Sequence, residues 1–347
     1  MSRAGPTTGD HALAPLLQVT YAPPDSLSRQ LADERVLAVF GFGDDAPDGG
    51  QDPRWLRVPL QPLPGTAPWI EIWRTSAPVR AGRVDGVAWA SDGELLFGAL
   101  EIDEGDAGIG AAAASAYARL TATLAVHGTP HILRVWNYMD AITLGESDDE
   151  RYRQFCVGRA NGLGGMDGLD AARLPAATAI GRRDGRRCLQ VYWLASRKPG
   201  TPVENPRQVS AYRYPRQYGP QPPSFARAML PPAGIDMPLL LSGTAAIVGH
   251  ASLHTGAAAA QTAETLANLD SLIAAARRQQ PDLPPALGAG SLLKVYVRDP
   301  ADTAAIAAQL DARLPASVPR LLLHAQVCRR ELLVEIDGVH GPAAEAR

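Results

Sequence analysis

Residues 205–229, NPRQVSAYRYPRQYGPQPPSFARAM, set Arg207, Arg213, Arg216 and Arg227 among Tyr212, Tyr214 and Tyr218. A guanidinium keeps its charge and grips a carboxylate through parallel N–H donors, while a phenol adds a neutral donor. Such a cluster can hold a small anion, and Arg159 in FCVGRAN can join it from the preceding helix. As a strand, RQVSAYRYP would put Arg207 and Arg213 on one face and Tyr212 and Tyr214 on the other. A solvated edge strand carries the same pattern, so the cluster alone leaves both readings open. The second candidate is Glu335, a lone carboxylate between Val334 and Ile336 in ELLVEIDGV. Pointing to water it would do nothing. Facing a dry pocket, its proton affinity would rise until it became a general acid usable near neutral pH.

Other motifs fall to plainer readings. NGLGGMDGLD (161–170) lacks both glycine patterns that cradle phosphates between a strand and a helix, and reads as a loop. His250 and His254 have the spacing of a helical metal pair, but Gly249 and Gly256 close off a helix, so we expect a turn with hydrogen-bonding histidines and no metal. There is no G-x-S-x-G elbow, and Cys328 lies in a strand-like run, more a small apolar wall residue than a nucleophile.

Charge and composition narrow the partners. With 33 basic and 36 acidic residues the net charge is −3, which argues against a nucleic-acid or anionic-membrane binder. Only Lys198 and Lys294 are lysines, a bias that genome composition accounts for. Cys156, Cys188 and Cys328 are odd in number and far apart, as in a reducing compartment. MSRAGPTTGDHALAPLLQ lacks a signal-peptide run, and no stretch reads as a membrane-spanning helix. The chain reads as a soluble, cytoplasmic protein.

The elements that must position these residues alternate in type. Residues 1–80 read as an irregular extension, with apolar runs such as VLAVFGFG and WIEIWR between Pro- and Gly-rich turns. A hairpin around Asp92-Gly93 follows, then a helix ended by Gly128, the strand HILRVWNYM, the helix DDERYRQFCVGRAN, and the strands PAATAIGR and CLQVYWLAS. The second half runs through a similar series. MPLLLSGTAAIVGHA is strand-like, and a helix with Leu266, Leu269, Leu272 and Ile273 on one face follows it. Next come the strand SLLKVYVRD, a helix opened by Pro300, and the strands PRLLLHAQVC and ELLVEIDGV. The fold class is therefore α+β, two similar units in tandem, divided as 1–200 and 201–347, with most of the site in the second.

Together these blocks carry a resemblance. NPRQVSAYRYPRQYGPQPPSFARA, SGTAAIVGH and CRRELLVEIDGV, with YRQFCVGRAN and PAATAIG, resemble in order the signature blocks of the chorismatases, from about residue 130 to residue 339. The resemblance implies a dianionic substrate, chorismate, and release of pyruvate without metal or organic cofactor. It implies Glu335 as the acid that protonates the enol ether's methylene carbon, and a pocket drawing on Arg159, Arg207, Arg213, Tyr214, Arg216 and Tyr218. A cysteine seven residues before the glutamate and a glycine in the SGT strand go with members that form hydroxybenzoates; here these are Cys328 and Gly243. 3-Hydroxybenzoate is the expected product, with 4-hydroxybenzoate as a further one in some members. The alternatives are a hydrolase giving a dihydroxycyclohexadienoate and a non-catalytic aromatic-acid binder.

The fold implied is that of the Rid (YjgF-like) imine deaminases, a mixed sheet packed against two helices, here twice in one chain. Arg320, fifteen residues before Glu335, matches the spacing of a carboxylate-binding arginine in those proteins and keeps imine deamination as a further alternative. Two units in one chain could replace some contacts between subunits, so the expected state is a monomer or weak homo-oligomer.

Overall fold

Val36–Phe42, VLAVFGF, is buried at every position, as in a strand covered on both faces. It is the second strand of a sheet that the reading of residues 1–80 as irregular does not anticipate. The computed structural model describes residues 17–164 and 170–342. The leader reading for residues 1–16 and the loop reading for 165–169 lie outside the described residues. Within residues 17–75, β1 (Leu17–Ala22), β2 (Val36–Phe42), β3 (Trp55–Val58) and β4 (Ile70–Thr75) form a sheet in the order β1-β4-β2-β3, with α1 (Leu27–Ala32) on one face. Its strands are short, and β1 pairs with a strand some fifty residues away, as in Leu17 opposite Thr75. No local pattern announces such a partner.

The second sheet contains β5 (Arg80–Val84), β6 (Val87–Ser91), β7 (Leu95–Asp103), β8 (His131–Asp140), β9 (Ala176–Arg182) and β10 (Cys188–Ser196), in the order β5-β6-β7-β10-β8-β9. Helices α2 (Gly108–His127) and α3 (Arg151–Gly162) cover one face. The third holds β11 (Thr201–Val203), β12 (Ala228–Leu230) and β13 (Leu239–Ala245), a small ribbon β14 (Ile247–Val248) and β15 (Ala251–Ser252) beside it, then β16 (Ser291–Val297), β17 (Arg320–His324) and β18 (Val334–His340). Its order is β11-β12-β13-β18-β16-β17, and α4 (Ala258–Arg277) and α5 (Thr303–Arg313) cover it. The apolar face expected on α4 is buried at Leu266, Leu269, Leu272 and Ile273.

Both six-stranded sheets follow one plan: first, second, third, last, fourth, fifth. In each, the fourth and fifth strands are parallel and the other ladders antiparallel. The tandem α+β architecture expected from the alternation is present, and the first sheet reproduces the last four positions of the same plan. Inner faces of all three sheets meet in one core that includes Phe40 and Trp73, Trp136 and Tyr192, and Tyr296 and Val339. The helices lie outside. Helix α2, with the residues just before it, is long and apolar enough by composition to cross a membrane, contrary to the sequence reading; its Ala113, Ala116, Tyr117 and Leu120 are spent on the second sheet and α3.

The segment expected as strand RQVSAYRYP is no strand. Ala211–Arg213 and Arg216–Tyr218 are single 3₁₀ turns, closed by Tyr214 N–H to Ala211 O at 3.1 Å and Tyr218 N–H to Pro215 O at 3.0 Å. Prolines 206, 215, 220, 222 and 223 supply no N–H to a ladder, so the chain turns on itself and hangs its side chains around a hollow.

Candidate active site

That hollow is a cavity of about 430 Å³ at the seam between the second and third sheets. Tyr152 and Arg159 reach it from α3, Thr178 from β9, Gly243 and Ala245 from β13, and Glu335 from β18. Tyr214, Tyr218, Phe225 and Arg227 close it from the turn-rich segment, and Cys328 and Arg329 from the approach to β18. Helix α3 comes close because Gly158 has no side chain: a Cβ there would lie 2.0 Å from Gly110 O of α2. The next residue, Arg159, is thereby drawn inside the protein and is only 3% exposed.

Its guanidinium stacks over Tyr117 at 5.2 Å, yet its Nε and Nη2 find no hydrogen-bond partner among the described residues. A buried cation with idle donors facing a cavity is arranged to receive an anion. Arg227 is equally buried; its Nη2 donates to Tyr214 Oη at 2.7 Å and Val209 O at 3.0 Å, leaving Nε unpartnered. Arg329 stacks over Tyr218 at 4.1 Å while donating to His250 O and Ser252 Oγ. The phenols therefore hold the arginines in place as well as lining the pocket.

Glu335 lies opposite these cations, 5% exposed. Burial is the main cause that pushes its carboxyl up to about 8, with the charge of Asp337 adding to it and Arg134, Arg227 and Arg298 opposing. The shift favours the protonated form at neutral pH. Its space is made by β13, whose pairing with β18 is irregular between Leu241 and Thr244. There Gly243 donates its N–H to Thr178 Oγ1 at 3.0 Å, and a Cβ on it would sit 1.9 Å from Glu335 Oε1. Cys328 lines the same space, and burial, then the nearby Glu335, pushes its thiol up to about 12. That disfavours a thiolate nucleophile at neutral pH.

Of the residues singled out from sequence, Arg159, Tyr214, Tyr218, Gly243, Cys328 and Glu335 meet in this cavity. Arg207, Arg213 and Arg216 do not. Arg207 is held by Glu264 and Asn268 of α4, Arg216 forms an exposed pair with Asp148, and Arg213 is exposed beside Tyr212. The turns at 211–218 aim Arg213 and Arg216 outward while Tyr214 points in. Arg320 pairs with Asp311 at the far edge of the third sheet and does not line the cavity. His250 Nδ1 meets Tyr218 Oη at 3.1 Å and His254 pairs with Glu264, so the two histidines point to different partners. The sequence reading missed Tyr152, Thr178 and Arg329, and named Arg227 in its cluster without placing it in the pocket. For Arg227 a signal existed: it has apolar neighbours on both sides, Phe225-Ala226 and Ala228-Met229.

Comparison with known proteins adds to this geometry. Residues 71–195 match the family described as "Chorismatase FkbO/Hyg5-like, N-terminal". A chorismatase of Streptomyces rapamycinicus is 38% identical over 277 residues, which cover 78% of this chain and 82% of that protein. A 3-hydroxybenzoate synthase of Streptomyces hygroscopicus is 35% identical over 284 residues, covering 80% of this chain and 82% of the relative. The crystal structure of a chorismatase superposes with a TM-score of 0.83 at 32% identity, over 94% of this chain and 99% of the other. The shared length, the sheet plan and the order of the sequence blocks agree: this chain belongs to the chorismatase family.

Proposed function

We propose that this enzyme converts chorismate to 3-hydroxybenzoate and pyruvate, with Glu335 as the general acid. The observation that carries the reading is a buried carboxyl with raised proton affinity and a buried arginine with idle donors in one cavity. Arg159, Arg227 and Arg329, supported by Tyr214 and Tyr218, would bind the two carboxylates of the substrate and hold its enol ether against Glu335. The proton goes to the methylene carbon, and the adjoining carbon becomes an oxocarbenium. Electrons of the ring C–O bond then pass to the ether oxygen, which leaves as the keto group of pyruvate. A ring hydroxyl displaces it to form an arene-oxide-like species and gives its proton back to the Glu335 carboxylate; one C–O bond of that species then opens, a ring C–H proton is lost as the oxygen gains one, and the ring aromatises. Atoms balance without added water. Gly243 and Cys328 border the Glu335 carboxyl, which supports their role in deciding between this route and hydrolysis.

The test is incubation with chorismate followed by chromatography and pyruvate assay, for the wild type and Glu335→Gln. Hydroxybenzoate and pyruvate in equal amounts from the wild type, and neither from the variant, is the expected result. Near-normal turnover by Glu335→Gln would refute the acid role, and a dihydroxycyclohexadienoate as sole product would refute the benzoate route.

A further inference from the structure

Glu335 shares its strand face with a second carboxylate. Alternation along β18 puts Asp337 on the same side, wholly buried. Its Oδ2 receives Thr178 Oγ1 at 2.7 Å, Trp136 Nε1 and Tyr296 Oη at 2.9 Å each, and Arg134 Nη2 at 3.1 Å. Lys294 Nζ stands 3.9 Å from Oδ1. Donors from β8, β9 and β16 thus converge on one oxygen, which accepts from four groups at once. Thr178 ties this carboxylate to the cavity, since its Oγ1 also accepts the Gly243 N–H at 3.0 Å. The space a Gly243 side chain would fill is bounded by Thr178 Oγ1 and Glu335 Oε1. One carboxyl group borders the glycine directly and the other reaches it through Thr178.

We infer that Asp337 is a positioning residue for the reaction: its charge, held by Arg134, Thr178, Trp136 and Tyr296, keeps the proton on Glu335 between turnovers. Two neighbouring carboxyls in a dry site do not both ionise, and the one better supplied with donors takes the charge. The other groups facing Glu335 are Arg134 from β8, Arg227 ahead of β12, Arg298 beyond β16, Tyr152 of α3 and Cys328. After burial, Asp337 has the largest effect on Glu335 of any of its charged neighbours. The inference rests on Glu335 being the acid of the proposed reaction.

The experiment is the pH dependence of kcat/KM for chorismate, which reports ionisation in the free enzyme, in the wild type, Asp337→Asn and Glu335→Gln. The wild type should lose activity as pH rises past about 8. Whatever its plateau, Asp337→Asn should lose activity about one pH unit lower, so that the ratio of variant to wild type falls about tenfold between pH 6 and pH 9. Should the asparagine enzyme fail to fold, Asp337→Asn combined with Arg134→Met removes both members of the ion pair, a change that buried pairs tolerate better than loss of one. Its falling limb should also lie below that of the wild type, because Asp337 acts on Glu335 more strongly than Arg134 does. A folded variant lacking Asp337 whose limb coincides with the wild type would overturn the inference while leaving Glu335 as the acid. Normal turnover by Glu335→Gln would instead remove the reading on which it rests.

Discussion

Replacing Glu335 by glutamine should change how stability depends on pH, independently of any assay of turnover. The carboxyl titrates near 8 in the fold and near 4.5 in the unfolded chain. Between those values the folded protein keeps a proton that the unfolded chain has released, so rising pH favours unfolding. The slope is about 1.4 kcal/mol per pH unit, and the interval amounts to about 5 kcal/mol in all. Glutamine cannot titrate. Its altered contacts shift stability by the same amount at every pH, whereas the contribution of Glu335 in the wild type declines from pH 5 to pH 8 and then levels off. The stability of Glu335→Gln minus that of the wild type should therefore climb along this interval and flatten above it. Urea unfolding at pH 5, 6, 7, 8 and 9, followed by fluorescence of the six tryptophans, reads the difference directly. Parallel curves for the two proteins would show that Glu335 ionises as an ordinary carboxylate, and the argument for a buried acid would fail.

Arg159→Met, which empties the cavity of its unpartnered cation, should raise KM for chorismate about 30-fold, the equivalent of about 2 kcal/mol. Arg216→Ala breaks only an exposed pair with Asp148 and should leave KM within about twofold; steady-state kinetics on both variants separates the arginines that face the cavity from those that do not. Gly243→Ala places a methyl where the Glu335 carboxyl lies. Since the far end of that side chain can swing aside, the protein should fold while kcat drops about tenfold and the product ratio moves, as chromatography would show. Arg298 donates to Leu332 O at 2.6 Å and to Val327 O and Arg329 O at 2.7 Å each. Arg298→Ala frees the segment bearing Cys328 and Arg329, and should lower stability by about 2–3 kcal/mol in denaturant unfolding together with turnover.

What could be read from the sequence was local. The turn at Asp92-Gly93 and the apolar face of α4 need no distant partner to be recognised, and both are where the pattern puts them. The first sheet depended on pairing across some fifty residues, and short runs broken by Pro and Gly concealed it. Residues 205–218 have the composition of a strand, but their prolines decide otherwise. Among the arginines of that stretch, chemistry could not separate those bound elsewhere from those facing the cavity, because Glu264 and Asp148 lie 57 and 68 residues from Arg207 and Arg216. Glu335 stood out as a charge in an apolar strand, whereas Asp337 two positions on was not singled out; its partner Arg134 is 203 residues away.

The place of β18 bears on how the protein is made. This strand is the last of the described elements in chain order, yet it lies in the middle of its sheet, between β13 and β16. Until residue 340 has left the ribosome, those two strands have no neighbour between them, and the aromatic inner faces of the earlier sheets lack part of their cover. A chain cut short before residue 334 would present two bare strand edges, the surfaces on which β proteins aggregate. The same strand brings Glu335. Closure of this sheet and arrival of the proposed acid are one event, so a product lacking β18 would have neither.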